Sequence, residues 1–423
     1  MAKRTGNSVA APTIAILTYG SRGDVQPLVA LGVGLRRAGY GVRLAAPARF
    51  QALAQGHQLD FVALPGDLEQ LSRALGDEAG QRPVQQMWVI MRHALALARE
   101  TMQQFGVAVQ GADLIVHSFL TSNAGHQLAH ALGIPDLAVQ LFPFFVPYHT
   151  FPNVALLQPD LGPWRNRASH HVANQIYHLS NRLSYHWLRR RVPTLGPARP
   201  AWPQPGLTTP LLLAYSPLVV GPTPASAPLA RAIGFLHLPA EAEAYTPPPQ
   251  LAAFLEAGPP PIFVGFGSMA SRHAPRMATL LLEGLGRNGQ RVIVQRGWAG
   301  IATDALPAWA HAIDEVPHAW LFPRMAAVIH HGGAGTTAAA LCAGVPSWVI
   351  PFTADQPFWG RRTHQLGVGP APAPVAHVDQ HALAVALSHF SAPATQRRAA
   401  QVGAALRAEQ GLAAAVGVVG TML

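Results

Sequence analysis

The sequence predicts an α/β protein of two Rossmann-like domains facing a central cleft, and three observations carry that expectation. Short apolar runs rich in β-branched residues enter a glycine turn and then a helical run at two distant places, from Thr13 and from Pro261; buried runs of this kind belong to parallel sheets crossed over by helices. Between them, Leu218 to Leu251 shifts to Pro, Ala and Gly, with GPTPASAP and then TPPPQ, the composition of a semi-rigid connector. The 423 residues, 49% of them apolar and 12% charged, suffice for two well-buried cores. The division expected is a first domain over 1–217, a Pro-rich linker over 218–250, a second domain over 251–393 and a helical tail over 394–423.

Taken in order, residues 13–18 form the first strand and lead into the loop Tyr19-Gly-Ser-Arg-Gly-Asp-Val-Gln-Pro27. A helical run follows to Arg37, Gly39 and Gly41 end it, and 41–45 is the second strand. The loop therefore lies at the carboxyl end of a strand, where open α/β sheets place ligands. Asp24 is its one ionisable acid, with Pro27 suited to start the helix; the carboxylate reads either as a helix cap or as a general base. A long helical pattern spans 82–110, a buried strand 113–118, and a helix 123–132 that Gly133 and Pro135 stop. His117 and Ser118, at that strand's end, either line a ligand or complete hydrogen bonds.

The middle changes character. LFPFFVPYHTFPNVALL, from Leu141, is rich in Phe and Pro and holds Phe144, Tyr148 and His149; it suits a stiff loop lining an apolar cleft, or packing between helices. Residues 166–191 are helical, aromatic and basic, either a face for anionic lipid or a solvated cover. In the second half, 261–269 (PIFVGFGSM) is a strand entering a glycine turn that presents Ser268, and a helix continues through Leu285. The turn lacks the third glycine of a dinucleotide fingerprint. Strand 291–296 ends in Gly297-Trp298-Ala299-Gly300, where Trp298 either borders a base or ribose or packs.

Composition removes several classes. The net charge is +10, and of the 30 Lys and Arg residues Lys3 is the only lysine. A P-loop ATPase, a protein kinase or a pyridoxal-phosphate enzyme needs a lysine inside its fold, and one at position 3 cannot serve. The single cysteine, Cys342, excludes an intrachain disulfide and a Cys-based zinc site. No Asp-x-Asp motif offers metal ligands, and no nucleic-acid motif accompanies the basic charge. No apolar run reaches the ~20 residues of a membrane span, and the start reads as no secretory signal. A cytoplasmic protein with phosphate-bearing substrates is expected, with at most weak peripheral contact at the inner membrane face.

The densest stretch is Val328 to Arg362, VIHHGGAGTTAAALCAGVPSWVIPFTADQPFWGRR. A strand over 326–329 is followed by two histidines, a Gly/Thr turn, an alanine-rich helix, a second apolar strand and Asp-Gln. Gly332, Gly333 and Gly335 remove the Cβ atoms that would hold a backbone away from an anion. Thr336 or Thr337 can cap the helix, whose N–H groups and positive dipole end then point at phosphates. His331 can donate to the same phosphate, and Asp355 with Gln356 offers an acceptor and an amide for vicinal sugar hydroxyls.

At these residues the chain resembles the inverting glycosyltransferases that use nucleotide sugars, nearest the sterol glucosyltransferases and the glycopeptide-antibiotic glycosyltransferases. The His331-Gly-Gly-Ala-Gly-Thr-Thr337 run and the Asp355-Gln-Pro-Phe-Trp-Gly360 run sit where the family has them. Gly23-Asp24-Val25-Gln26-Pro27 keeps the spacing of the plant members' Gly-His-x-x-Pro loop, with aspartate in the histidine's place, as in those two branches. The resemblance implies the GT-B fold, with the donor on the second domain, the acceptor on the first, and the last helix crossing back onto the first. It implies that Asp24 deprotonates an acceptor hydroxyl, which attacks the anomeric carbon opposite the departing nucleotide.

The donor set expected is Ser268, Trp298, Val316, His331, Gly333, Ala334, Gly335, Thr336, Asp355 and Gln356; the acceptor side takes Ser21, Arg22, His117, Phe144 and His149. Plant relatives have a base-stacking tryptophan where Glu315 stands, so backbone groups around Val316 are expected to read the base. No metal or other cofactor is expected; the nucleotide sugar is a co-substrate, with UDP-glucose favoured over a TDP sugar. The apolar segment after Leu141 points to a lipophilic alcohol such as a sterol, hopanoid or polyketide-type aglycone. Two rival readings are a nucleotide-sugar epimerase or hydrolase and a non-catalytic binder of sugar nucleotide or lipid.

Overall fold

Two parallel sheets, each set at the centre of its own α/β domain, organise the chain. The computed structural model describes residues 11–66, 83–156, 160–191, 201–238, 245–267, 269, 271–296 and 306–423. The first domain runs β1 (Thr13–Leu17), α1 (Arg22–Arg37), β2 (Gly41–Pro47), β3 (Asp60–Leu64), α2 (Pro83–Ala108), β4 (Leu114–His117), α3 (Ser122–Leu132), β5 (Asp136–Gln140), α4 (Pro163–Arg191), β6 (Leu211–Leu213) and β7 (Ala230–Ala232). All seven strands join one sheet in the order β3-β2-β1-β4-β5-β6-β7. Register sets Ile14 between Val42 and Leu114, apolar on every side, as expected of a strand covered on both faces.

The second domain runs β8 (Ile262–Gly265), α5 (Ala274–Arg287), β9 (Val292–Gln295), β10 (Ala310–Ile313), β11 (Ala327–His330), α6 (Ala334–Ala343), β12 (Ser347–Val349), α7 (Gln356–Gln365) and α8 (Gln380–Ser391). Its sheet is ordered β10-β9-β8-β11-β12. The chain then continues through α9 (Pro393–Ala408) and α10 (Gly411–Gly420). Helix α10 lies on α1 of the first domain, close enough that a Cβ on Gly34 would fall 2.7 Å from Leu412 Cδ1. Ala415 and Val419 are fully buried there, within the first domain's core.

Three placements differ from the sequence reading. Helix α1 starts at Arg22, not at Pro27, because Ser21 and Asp24 form a capping box that opens the helix earlier; Pro27 then sits inside the helix. The stretch read as linker carries β7, whose Ala230–Ala232 pair with Leu211–Leu213 as an edge of the first sheet. An edge position tolerates so short a run among prolines. The aromatic segment after Leu141 packs between the domains: Phe144, Phe145 and Phe151 share one buried cluster with Phe358, Trp359 and Ala399. The Phe151 and Phe358 rings are 4.7 Å apart, and the Arg362 guanidinium lies 4.9 Å from the Phe151 ring centre. Such stacked contacts combine large apolar burial with fixed geometry.

Candidate active site

Strand order reverses between β1 and β4 in the first sheet and between β8 and β11 in the second. Crevices at such switch points, beyond the carboxyl ends of the strands, are where open α/β sheets hold ligands. Here the two crevices face each other. The loop after β1 holds Ser21 to Asp24, and the loop after β11 holds His331 to Gly335. A Cβ on Gly335 would stand 3.4 Å from Gly23 Cα, so the N-termini of α1 and α6 meet almost backbone to backbone. Two positive dipole ends converging on one point make a strongly anion-attracting spot.

Asp24 is folded back onto its own loop. Its Oδ2 accepts from the Ser21 N–H and from the Ser21 hydroxyl, both at 2.8 Å. Gly20 makes room, since a Cβ there would fall 2.4 Å from that oxygen, and its φ of +150° suits glycine. Burial raises the Asp24 pKa above the ordinary carboxylate value, with the Ser21 hydrogen bonds and Arg49 opposing. The acid is thus a helix cap whose carboxyl is shifted towards neutrality.

On the opposite wall, Gly333 is the N-cap of α6 with an extended ψ of 145° and no side chain caps the helix. The threonine cap expected from the sequence does not form: the Thr337 hydroxyl instead donates back to the Gly333 carbonyl at 2.9 Å. Ala334, Gly335 and Thr336 make the first turn, its N–H groups directed at the crevice by helix geometry. The His331 ring sits between two glycine loops, with Nε2 2.6 Å from a Cβ built on Gly333 and Cε1 3.7 Å from one on Gly267. Burial lowers its pKa to about 4, so the imidazole is neutral at pH 7, and its Nδ1 is buried without a partner among the described residues. A neutral ring offers one N–H donor rather than a charge.

Asp355 Oδ2 accepts from the Trp359 indole N–H at 2.6 Å. Its pKa is raised to about 6, first by burial, with the Asp24 charge adding to it; the two carboxyls feel each other across the cleft. The sequence does not single out Trp359, although its place four residues after Asp355 on a helix is a readable signal. Gln356 departs from expectation. It is 5% exposed, its Oε1 accepts from the Phe352 and Thr353 N–H groups at 2.7 and 3.1 Å, and its Nε2 contacts Met269 Sδ at 3.3 Å. The amide braces the loop before α7 because those two N–H groups would otherwise lack a partner.

The remaining residues divide. Arg22 reaches across the cleft to Glu315, Nη1 to Oε2 2.6 Å, a cross-domain contact that sequence reading missed. The Val316 side chain is buried in the second domain's core with Phe263 and Leu321. Ser21 is the exposed N-cap of α1. His117, read as an acceptor-side residue, is fully buried, and its Nε2 lies 2.8 Å from Asp136 Oδ2, which His126 Nδ1 shares at 2.9 Å. A buried strand-end histidine beside a carboxylate satisfies hydrogen bonds rather than greeting a ligand. Phe144 belongs to an aromatic cluster with Phe119, Phe145 and Tyr177. His149 is exposed, and its carbonyl accepts from Asn166 Nδ2 at 3.1 Å. Ser268 and Trp298 lie outside the described residues.

Comparison with known proteins agrees with this geometry. Residues 14–146 match the glycosyltransferase family 28 N-terminal domain, and residues 279–415 match the erythromycin biosynthesis protein CIII-like C-terminal domain. The chain is 34% identical to the O-mycaminosyltylonolide 6-deoxyallosyltransferase of Streptomyces fradiae over 94% of each chain. It is 34% identical to the vancomycin aglycone glucosyltransferase of Amycolatopsis orientalis over 95% of this chain and 96% of that one. It is also 34% identical to a sterol 3-beta-glucosyltransferase of Arabidopsis thaliana over 95% of this chain, but spans 64% of the plant protein's length. Among solved structures, the glycotransferase of kitacinnamycin is similar with a TM-score of 0.70 at 19% identity over 98% of this chain and 99% of that one. The glycosyltransferase VinC, solved with dTDP, gives 0.65 at 20% over 97% and 99%. The architecture is the GT-B fold.

Proposed function

The chain belongs to the glycosyltransferases, with a family 28 N-terminal half and an erythromycin-CIII-like C-terminal half, and we propose that it moves a hexose from a nucleotide sugar to a hydroxyl of a lipophilic acceptor with inversion at the anomeric carbon. The observation that carries the reading is the meeting of the two loops: Gly23 against Gly335, with the Asp24 charge felt at Asp355. A sugar held beside this junction has a base on one side and an anion-binding helix end on the other. In the step proposed, Asp24 takes the proton of the acceptor hydroxyl. Its oxygen bonds to the anomeric carbon as the bond from that carbon to the phosphate oxygen breaks, and the diphosphate leaves with the electron pair.

The negative charge that develops on the diphosphate falls at the start of α6, where helix N–H groups and the neutral His331 N–H stabilise it without reorganising. Asp355, oriented by Trp359, is assigned to the sugar hydroxyls. No metal enters this scheme. UDP-glucose is the donor we favour, because two of the relatives at 34% identity are named glucosyltransferases; dTDP-glucose is the competitor, given dTDP in VinC. The acceptor class rests on the phenylalanine-rich surroundings of Phe119, Phe142 and Tyr177 on the first-domain side.

The test is to incubate the protein with each donor and a panel of sterols, hopanoids and polyketide aglycones, with and without EDTA, wild type beside Asp24→Asn. Expected are a glucoside of inverted configuration by NMR, no loss with EDTA, and near disappearance of product in the variant. Free glucose or an epimer in place of a glucoside would make the chain a hydrolase or epimerase. Tight donor binding with no turnover of any acceptor would make it a binding protein, and a retained anomeric configuration would remove the single-displacement step.

A further inference from the structure

We propose that the outer face of α4 is a docking surface for an anionic lipid membrane. The proposal stands on this helix alone and does not depend on the transfer reaction. Along its 29 residues, Val172, Ile176, Leu179 and Leu183 follow one another at steps of four, three and four, the spacing of a single helix face. They are 52%, 56%, 58% and 63% exposed. An amphipathic helix of a globular protein turns such a stripe towards the core, but the core-facing side of α4 is already supplied by Ala173, Tyr177 and Tyr185. Helix α4 therefore carries a second apolar face that nothing in the described structure covers, and Trp164 at its start is 80% exposed.

Charge selects the occupant. The helix PWRNRASHHVANQIYHLSNRLSYHWLRRR contains no Asp or Glu. By helical phase, Arg165 and Arg190 fall on the stripe's own face near its two ends, and Arg182 lies to one side; all three are exposed. A second copy of the chain would bring the same arginines against these, on a molecule of net charge +10, and like charges meeting at an interface oppose association. The stripe is also the convex outside of a helix, with no socket for the anchoring side chain that protein partners use. A bilayer surface meets both features. It deforms around a convex apolar stripe, while arginines extend their stems through the interface to lipid phosphates.

The experiment uses the full chain and vesicles of equal parts phosphatidylglycerol and phosphatidylcholine, beside vesicles of phosphatidylcholine alone. Wild type is expected to sediment with the anionic vesicles, and less so as salt is raised. Two variants, the triple Ile176→Ser with Leu179→Ser and Leu183→Ser, and the double Arg165→Gln with Arg190→Gln, should each lower the partition coefficient by ~10-fold or more. Both should keep the wild-type circular dichroism and melting temperature, since the side chains replaced are solvent-exposed. Four results would overturn the proposal: wild type remaining in the supernatant with anionic vesicles, equal binding to neutral ones, wild-type partition in the serine variant, or a wild-type dimer by light scattering that the serine variant dissociates.

Discussion

Asp24 is a helix cap and, in the proposed reaction, the general base, and substitution can separate the two. Asparagine keeps an oxygen to accept from the Ser21 N–H, so Asp24→Asn should fold with nearly unchanged stability while kcat falls by ~10²–10⁴, the usual contribution of a general base. Asp24→Ala should show the same kinetic loss and a further ~1 kcal/mol in denaturant titration, because the cap goes as well. The pH profile carries a second check. A base must be unprotonated to act, and burial raises the Asp24 pKa while Asp355 is raised to about 6. The acid limb of kcat/KM should therefore lie above the ordinary aspartate value of 3.8, with apparent values belonging to the pair. Removing the Asp24 charge removes one of the causes that raise Asp355, so the residual activity of Asp24→Asn should have its acid limb at lower pH. At this scale the sequence located Asp24, His331 and Asp355 by residue type and spacing. It did not reveal that Arg22 pairs with Glu315, because the two are 293 positions apart, or that Gln356 turns inward, because its partners are the backbone N–H groups of Phe352 and Thr353, which carry no side-chain signal.

The element on which the proposed donor site rests is the start of α6. Gly333→Ala would set a Cβ 2.6 Å from His331 Nε2, closer than real Cβ contacts come, so the ring must shift. A clash of this kind costs about 1–3 kcal/mol of stability, and because it displaces the ring assigned to the phosphate, calorimetry with UDP should show weakened affinity. The opposite case is Gly417 in α10. It is exposed, and nothing stands within 4 Å of a Cβ there, so Gly417→Ala should raise stability by ~0.5–1 kcal/mol through helix propensity. Elements were legible where the pattern was long: α2, α4 and the β11–α6–β12 unit follow directly from periodicity and glycine placement. The start of α1 was misread because a proline's preference for the first helical turn competed with a capping box, and the box prevailed. Strand β7 was not legible, since three residues among prolines carry no alternation and acquire strand geometry only by pairing with β6.

At the scale of the whole molecule, buried histidines set the acid limit. Burial lowers His318 to about 3 and both His170 and His331 to about 4, each from 6.5 in the unfolded chain. Between those values the unfolded state binds more protons, so stability is lost as pH falls from about 6.5 towards 4, by ~3 kcal/mol per group at most. Asp136, held below the ordinary range chiefly by its hydrogen bonds to His117 and His126 against the cost of burial, acts in the same direction at still lower pH. Asp355 acts oppositely, since its raised pKa costs stability as pH rises from 3.8 to about 6, as do Asp24 and Glu409, which burial also raises. The melting temperature should drop steeply from pH 7 to pH 4.5; a flat profile would show that these imidazoles are solvated. Phe358→Ala, which empties the 2%-exposed ring position against Phe151, should cost about 3–5 kcal/mol in denaturant titration.

The sequence by itself determined the fold class, the two glycine loops and the acid, histidine and aspartate most suited to act on a nucleotide sugar. These are local properties, set by side-chain chemistry, strand and helix period, and the need for glycine where a backbone approaches an anion. Tertiary structure decided what those residues face. It set Gly23 against Gly335, placed the Asp24 charge beside Asp355, drew the phenylalanine-rich segment into the domain interface and left one face of α4 apolar and uncovered. Each of these depends on contacts between residues up to about three hundred positions apart, and the energy of such contacts resides in packing and shared burial, which no window of sequence contains.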